Sequence, residues 1–333
     1  MWMARLLRHV GWFVLCMCLG ALSGCASLRA VQTATLLEAR PADLPTRANL
    51  TATPFFAQTA LQCGPAALAT VLGAAGVAGL DVTPDALSSE VFVPGRGGSL
   101  QIEMLAAARR HGLVSTRIKP ELTPLLREVA AGHPVLVLLN LGLSLYPMWH
   151  YAVVIGYDLD AGEVLLRSGA TRELALPLAT FEHTWARSQY WAFVALPPDV
   201  LPLTAVESAV VEGRVGFERV NSPKVARIAY QSALQRWPDN PVLGLGLGNT
   251  LFASGDVRAA ADIFQRMADQ HDSAVAWNNL ATARLKLGDI TAARRAAVQA
   301  VRRAQASEPS WLLATQATLV EVEQAVTSAD TGH

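Results

Sequence analysis

Toward its C-terminus the chain repeats itself. Gly255-Asp256 recurs as Gly288-Asp289, Gly248 as Ala281 and Ala260 as Ala293, each at an offset of 33 residues. A fixed period of this length marks a stacked array, in which every unit is a helix pair that cannot bury its apolar face alone. The Ala-rich pattern begins near Ser222, with Arg227 to Pro238 reading as the second helix of a preceding unit and Trp311 to Val326 as a closing helix. Small residues at matched positions let paired helices approach closely. The repeats therefore take 221–328, and the remainder of the 333-residue chain must fold on other terms.

That remainder has a different texture. From Cys63 to Ala75 the residues are small and apolar at helical spacing, with Pro65 near the start, where a missing N–H costs least. A second helix is expected over Pro84 to Ser89, and a third from Ser99, with Glu103 behind it, to a stop at His111-Gly112. Strand-like runs follow at Leu113 to Ile118, Pro134 to Leu139, His150 to Tyr157, Glu163 to Leu166 and Tyr190 to Ala195. Asp160-Ala161-Gly162 reads as a hairpin turn. Helices first and an antiparallel sheet later describe an α+β domain over 51–197. The proline-rich joint Pro197 to Pro202 opens an expected linker, 198–220.

The N-terminal region carries Arg5 and Arg8, then an apolar run from Gly11 to Leu22 of the length of a signal h-region. Leu22-Ser23-Gly24-Cys25 closes it and resembles the lipobox of bacterial lipoproteins. The resemblance implies a signal peptide over 1–24, lipid on Cys25, and a tether over 25–50 that contains Pro41 and Pro45. Within the same resemblance, Ala26 and Ser27, neutral residues after the cysteine, imply the outer membrane, facing the periplasm. An uncleaved signal anchor with an incidental cysteine is the competing reading. Lysine plus arginine and aspartate plus glutamate balance at 27 each, so no whole-chain field draws the protein to nucleic acid. Membrane attachment must come from the N-terminal segment.

Processing would remove Cys16 and Cys18 and consume Cys25, leaving Cys63 as the single free thiol and excluding a disulfide framework. Burial is the bland reason for such a residue, because free cysteine behaves as a small hydrophobe. The chemical reason is nucleophilic catalysis. A thiol attacks a carbonyl as thiolate, and a helix N-terminus with a nearby His can bring its pKa down to roughly 3.5–7.5. Cys63 opens the expected helix. The tetrahedral intermediate needs oxyanion donors, a backbone N–H and a side-chain amide, and Gln58 stands five residues upstream. No phosphate-binding GxxxxGK[ST] motif and no zinc-spaced His/Cys cluster is present in the sequence, so no cofactor is expected. Gly95-Arg96-Gly97-Gly98 suits a substrate-facing loop.

Gln58-Thr59-Ala60-Leu61-Gln62-Cys63-Gly64-Pro65-Ala66-Ala67-Leu68 resembles the active-site segment of the double-glycine leader peptidases, which are papain-like cysteine peptidases. Trp149 to Tyr157 resembles their histidine strand, and Gly98-Ser99-Leu100 through Gly112 the intervening helix. The resemblance implies Cys63 as nucleophile, His150 as general base, Gln58 as oxyanion donor and a peptide or protein substrate. The 33-residue unit with Trp277, Leu280, Ala281, Gly288 and Ala293 resembles the tetratricopeptide repeat, which implies a protein partner. The expected architecture is an α+β papain-like cysteine peptidase domain followed by an all-α tetratricopeptide-like repeat domain. One position departs from the pattern: where the family places an acidic residue to orient the histidine, this chain has Ser168. A hydroxyl accepts a hydrogen bond from imidazole but does not stabilise imidazolium as a carboxylate does. A protein that only binds an extended peptide, and acyl transfer by the same thiol, therefore stay open. Asp158 is a reserve candidate for the orienting role. His111 and His133 read as surface or capping residues, and His183 has no assigned role.

Overall fold

The structure is a computed structural model and describes residues 30–57, 62–77 and 82–331. The expected signal segment, Cys25 and Gln58 lie outside the described residues. One antiparallel sheet organises the first domain. Its strands are β1 (Arg47–Asn49), β4 (Val114–Arg117), β5 (Val135–Asn140), β6 (Trp149–Asp158), β7 (Glu163–Ser168), β8 (Thr171–Pro177) and β9 (Ala192–Leu196). They lie in the order β4-β9-β5-β6-β7-β8, and β1 pairs with the far end of β6. A separate two-stranded ribbon joins β2 (Phe92–Val93) to β3 (Gly98–Ser99).

Helices cover both faces of the sheet, and strand alternation sorts the core between them. On one face α2 (Cys63–Ala74), α3 (Pro84–Val91) and α4 (Gln101–Arg110) pack Leu68, Leu72 and Met104 against Leu136, Leu138, Tyr151, Val153 and Phe193. On the other, α1 (Val31–Glu38), α5 (Leu122–Ala130) and α6 (Leu178–Ala186) pack Leu36, Leu125 and Trp185 against Val135, Val137, Ala152, Val154 and Leu166. Double coverage explains why β5 reads as an unbroken apolar run: both sets of its side chains leave water. Helix α2 is buried from Gly64 to Leu72, so it is the central helix of its layer.

Three expectations change. The stretch expected as a tether is folded from residue 30 onward: Leu36 and Leu44 are in the core, β1 pairs with β6, and Tyr157 Oη donates to the Pro45 carbonyl at 2.9 Å. Only isolated apolar residues anchor it, so no periodicity betrays it. Ser99 does not cap a helix; it lies in β3, and α4 starts at Gln101 with no side-chain cap. The linker holds a helix, α7 (Glu207–Glu218), whose buried Phe217 meets Val114 of β4 and Ala229. Gly213 makes the approach feasible, since a Cβ there would stand 3.1 Å from the Ser115 carbonyl. Strand β8 and helices α5 and α6 are additions to the sequence reading. Strand β8 is an edge strand with mostly exposed residues, so its pattern lacks the apolar alternation that identifies a strand.

Helices α8 (Pro223–Arg236), α9 (Pro241–Ala253), α10 (Val257–His271), α11 (Ala274–Lys286), α12 (Ile290–Ala306) and α13 (Leu312–Thr331) form the repeats. The Gly-Asp recurrence now has a physical cause. Gly255 and Gly288 take φ +87° and +78° to end one helix, and Asp256 and Asp289 accept the amides of Ala259 and Ala292 to start the next. A packed seam joins the two domains. Arg214, fully buried, donates to Thr116 Oγ1, the Val200 carbonyl and the Ala229 carbonyl. Burial brings its pKa down to about 10, so it stays protonated at neutral pH. Glu128, on α5, accepts the amides of Leu203 and Thr204, the Thr204 hydroxyl and His133 Nδ1. Among the described residues no helix is long and apolar enough to cross a membrane.

Candidate active site

Cys63 is the first residue of α2 and is half-buried at the margin of the core beneath that helix. Gln62 supplies no side-chain cap, and Pro65 lacks an N–H, so the first amides of the helix stay directed at the space beside the thiol. Such a terminus favours negative charge, as a thiolate requires. Ser99 packs directly on this turn. A Cβ on Gly64 would lie 2.2 Å from Ser99 Oγ and 2.6 Å from Ser99 Cβ, so the glycine after the thiol is what admits the β3 segment. Tyr151 Oη then donates to the Ser99 carbonyl at 3.1 Å and ties β6 to the same corner.

A cleft of about 650 Å³ opens at this corner, lined by Cys63, Ser99, Leu100, Trp149, Tyr151 and Arg187, among others. A hollow of about 670 Å³ between α12 and α13 is as large but is lined by residues such as Ile290, Arg294, Val298 and Val326, with no thiol. Size does not select the site; the thiol does. The Tyr151 phenol is raised above its ordinary pKa, first by burial and then by negative charge on Cys63, so it remains a neutral donor beside the thiol.

His150 stands at the second position of β6, between two cleft residues. It shares the register of Ala152 and Val154, and its Nε2 lies 2.8 Å from Ser168 Oγ at the end of β7. Strand β7 pairs with β6 only from Val153 onward, which leaves room at the start of β6 for the imidazole to meet Ser168. Ser168 is 8% exposed and has no carboxylate behind it among its hydrogen-bond partners. Burial holds the His150 pKa below 6.5, so the neutral imidazole dominates at neutral pH. With Nε2 engaged by Ser168, Nδ1 makes no hydrogen bond among the described residues, and neither does the Cys63 sulfur.

The other candidates fall elsewhere. Asp158, the reserve for orientation, lies at the opposite end of β6, where it accepts the amides of Asp160 and Ala161 and pairs with Arg47 at 2.8 Å. It serves the hairpin and not His150. His111 pairs with Glu90 at 2.8 Å and His133 with Glu128 at 2.7 Å, so both are structural and only partly exposed. His183 lies on α6, away from the cleft lining. Among the described residues no cluster of His, Cys, Asp or Glu has the makings of a metal site. Sequence reasoning did not single out Tyr151, Arg187 or Asn140. Asn140 alone carried a signal, a polar residue ending the apolar run of β5.

The comparisons agree with this division of the chain. A family model described as the Peptidase_C39-like family matches residues 50–193, a range that holds Cys63, His150 and Ser168. A tetratricopeptide repeat model matches residues 222–278. The chain thus contains a sheet-based Peptidase_C39-like domain followed by tetratricopeptide-like helical repeats. Among solved structures, a C39-like peptidase from Bacillus anthracis is 18% identical, covering 46% of this chain and 98% of that one, with a TM-score of 0.38. The Sgt2 tetratricopeptide domain from Aspergillus fumigatus is 18% identical over 38% of this chain and 82% of its own, with a TM-score of 0.35. The type III secretion translocator chaperone SycD from Yersinia enterocolitica is 14% identical over 36% and 85%, with a TM-score of 0.34. Among curated proteins none matches.

Proposed function

We propose that the protein is a cysteine peptidase, tethered to a membrane by lipid on Cys25, whose repeats bind a protein partner. The observation that carries this reading is Cys63 at the start of a helix beside Tyr151, with His150, the residue before Tyr151 on β6, hydrogen-bonded through Nε2 to Ser168. In the reaction His150 takes the Cys63 proton as the sulfur attacks a peptide carbonyl. The Cys63 N–H, with Gln58 as a second donor, holds the oxyanion. The imidazolium returns its proton to the leaving amine, and water then releases the acyl group from sulfur. In papain-type sites such hydrogen bonds tighten only when substrate is bound, so an unbonded thiol in the free protein suits the role. Ala26 and Ser27, directly after the lipobox-like segment, support localisation to the outer membrane, facing the periplasm.

A second reading has one observation in its favour. Ser168 stands where an acid would stabilise imidazolium, and the His150 pKa is lowered, so the domain would grip a peptide without cutting it. Thiol-directed labelling across a pH series separates the two. A catalytic Cys63 reacts below neutral pH and slows when His150 is replaced by alanine, and Cys63→Ala abolishes cleavage of an unfolded protein substrate. Labelling that follows an ordinary thiol titration near pKa 8.5 and ignores His150→Ala would sink the peptidase reading. For the anchor, Cys25→Ala should move the protein from the membrane fraction to the soluble one; unchanged fractionation would count against lipid at that residue.

A further inference from the structure

The segment between β5 and β6 carries a run of exposed large apolar side chains. Leu143, Leu145 and Tyr146 are 69%, 87% and 80% exposed, and Leu141, Met148 and Trp149 are exposed as well. Contiguous apolar exposure of this kind marks a contact surface. We infer that this loop inserts into the interface of a lipid bilayer rich in anionic headgroups and turns the mouth of the Cys63 cleft toward the membrane.

The loop is built for it. Its backbone is closed on itself: the Leu141 amide donates to the Met148 carbonyl at 2.9 Å and the Tyr146 amide to the Leu143 carbonyl at 3.1 Å. Buried Asn140 accepts the amides of Gly142 and Met148 through Oδ1 at 3.0 and 2.9 Å. Arg187 Nη1 donates to the carbonyls of Asn140 and Gly142 at 3.0 and 2.9 Å. With the amides of Leu141, Gly142, Tyr146 and Met148 paired, the loop loses less on leaving water than an open one. The side chains therefore project from a pre-ordered frame. Tyr146 and Trp149 are the amphipathic aromatic types that settle at headgroup depth.

Charge and apolarity together match an anionic bilayer. No charged residue lies between Glu128 and Asp158 in the sequence. The cations at the base of the loop and across the cleft, Arg187 and Arg96, line the cleft and form no ion pair among the described residues. An apolar tip above unpaired guanidinium groups matches acyl chains below phosphate groups. The tip also stands clear of the substrate cleft, since Trp149 is the only loop residue between Leu141 and Trp149 that lines it. Leu100 and Ile102, exposed beside the other lining segment, extend the apolar rim. The loop would insert whether or not Cys63 is catalytic and whether or not Cys25 carries lipid.

Depth-dependent quenching tests this. The full chain is mixed with vesicles of phosphatidylethanolamine and phosphatidylglycerol whose acyl chains are brominated close to the headgroup. The emission of Trp149 is taken as the difference between the native protein and Trp149→Phe. It should lose about half its intensity on these vesicles and less on phosphatidylcholine vesicles. The Leu145→Ser/Tyr146→Ser variant changes only exposed side chains, and it should abolish the quenching. Failure of the chain to sediment with the vesicles, or sedimentation without quenching of Trp149, overturns the inference. If that variant leaves quenching unchanged and instead raises KM for a soluble peptide, the loop is a substrate contact and not a membrane one.

Discussion

Gly64→Ala would force a methyl group into the contact between the start of α2 and β3. The added Cβ would stand 2.2 Å from Ser99 Oγ and 2.6 Å from Ser99 Cβ. Rotating the Ser99 hydroxyl relieves the first contact but not the second, because Cβ is set by the backbone. Either α2 or the β3 segment must then move by about 1 Å, an overpacking that costs about 1–3 kcal/mol. Moving Ser99 also strains the 3.1 Å bond from Tyr151 Oη to its carbonyl, worth about 0.5–1.5 kcal/mol. Together these give a loss of about 1.5–4.5 kcal/mol. Urea unfolding of the full chain reads the loss as a lower midpoint with an unchanged slope. Alkylation of native Cys63 should change rate in the same variant, because the displaced segment forms one wall of the cleft. The double variant Gly64→Ala/Ser99→Gly removes both clashing atoms and should recover much of the loss relative to Ser99→Gly alone. The packing argument is wrong if Gly64→Ala costs less than about 0.5 kcal/mol, or if the double variant shows no coupling.

Three other outcomes follow from the same residues. His150 has a folded pKa below its unfolded 6.5, so the unfolded chain binds the proton more readily; its contribution is full above pH 6.5 and is lost as pH falls through the folded value. Urea midpoints should therefore decline over that window, and in His150→Gln this part of the decline should vanish. Ser168→Asp places a carboxylate behind His150 and should speed labelling or turnover, whereas Ser168→Ala should slow it and cost about 0.5–1.5 kcal/mol of stability; equal rates in all three would show that another group holds the imidazole. Burial alone would raise the Glu128 pKa, but hydrogen bonds from His133 and Thr204 hold it below 4.5, so its contribution is present above pH 4.5 and is lost as pH falls further. Glu128→Ala breaks this buried cluster and should cost about 3–5 kcal/mol by urea unfolding, with the seam between the domains loosened, as limited proteolysis near Leu203 would report.

Residue patterns that depend on near neighbours were legible in the sequence. The start of α2 at Cys63 followed from small apolar residues and Pro65, and the Gly-Asp turns from their own recurrence. The pairing of His150 with Ser168 was anticipated from the family pattern, and the two side chains meet at 2.8 Å. Contacts between distant segments left no such trace. Asp158 and Ser168 are eight and eighteen residues from His150, yet it is the farther one that touches it, because β7 runs back alongside β6 while Asp158 goes to the hairpin. The helix in the expected linker and the folded stretch from residue 30 were hidden for the same reason: each is held by a few side chains that insert into a surface formed elsewhere.

By itself the sequence determined that the chain has two parts, that the second is a stack of helix pairs, and that one thiol begins a helix in the first. These are consequences of periodicity and backbone chemistry, which act over a few residues. Only the tertiary structure decided that Ser99 leans on Gly64, that Tyr151 shares the cleft with Cys63, and that the β5–β6 loop stands out from it with its apolar side chains in water. Those arrangements arise where strands and helices far apart in the chain pack together, and packing between distant segments is not encoded in any local pattern.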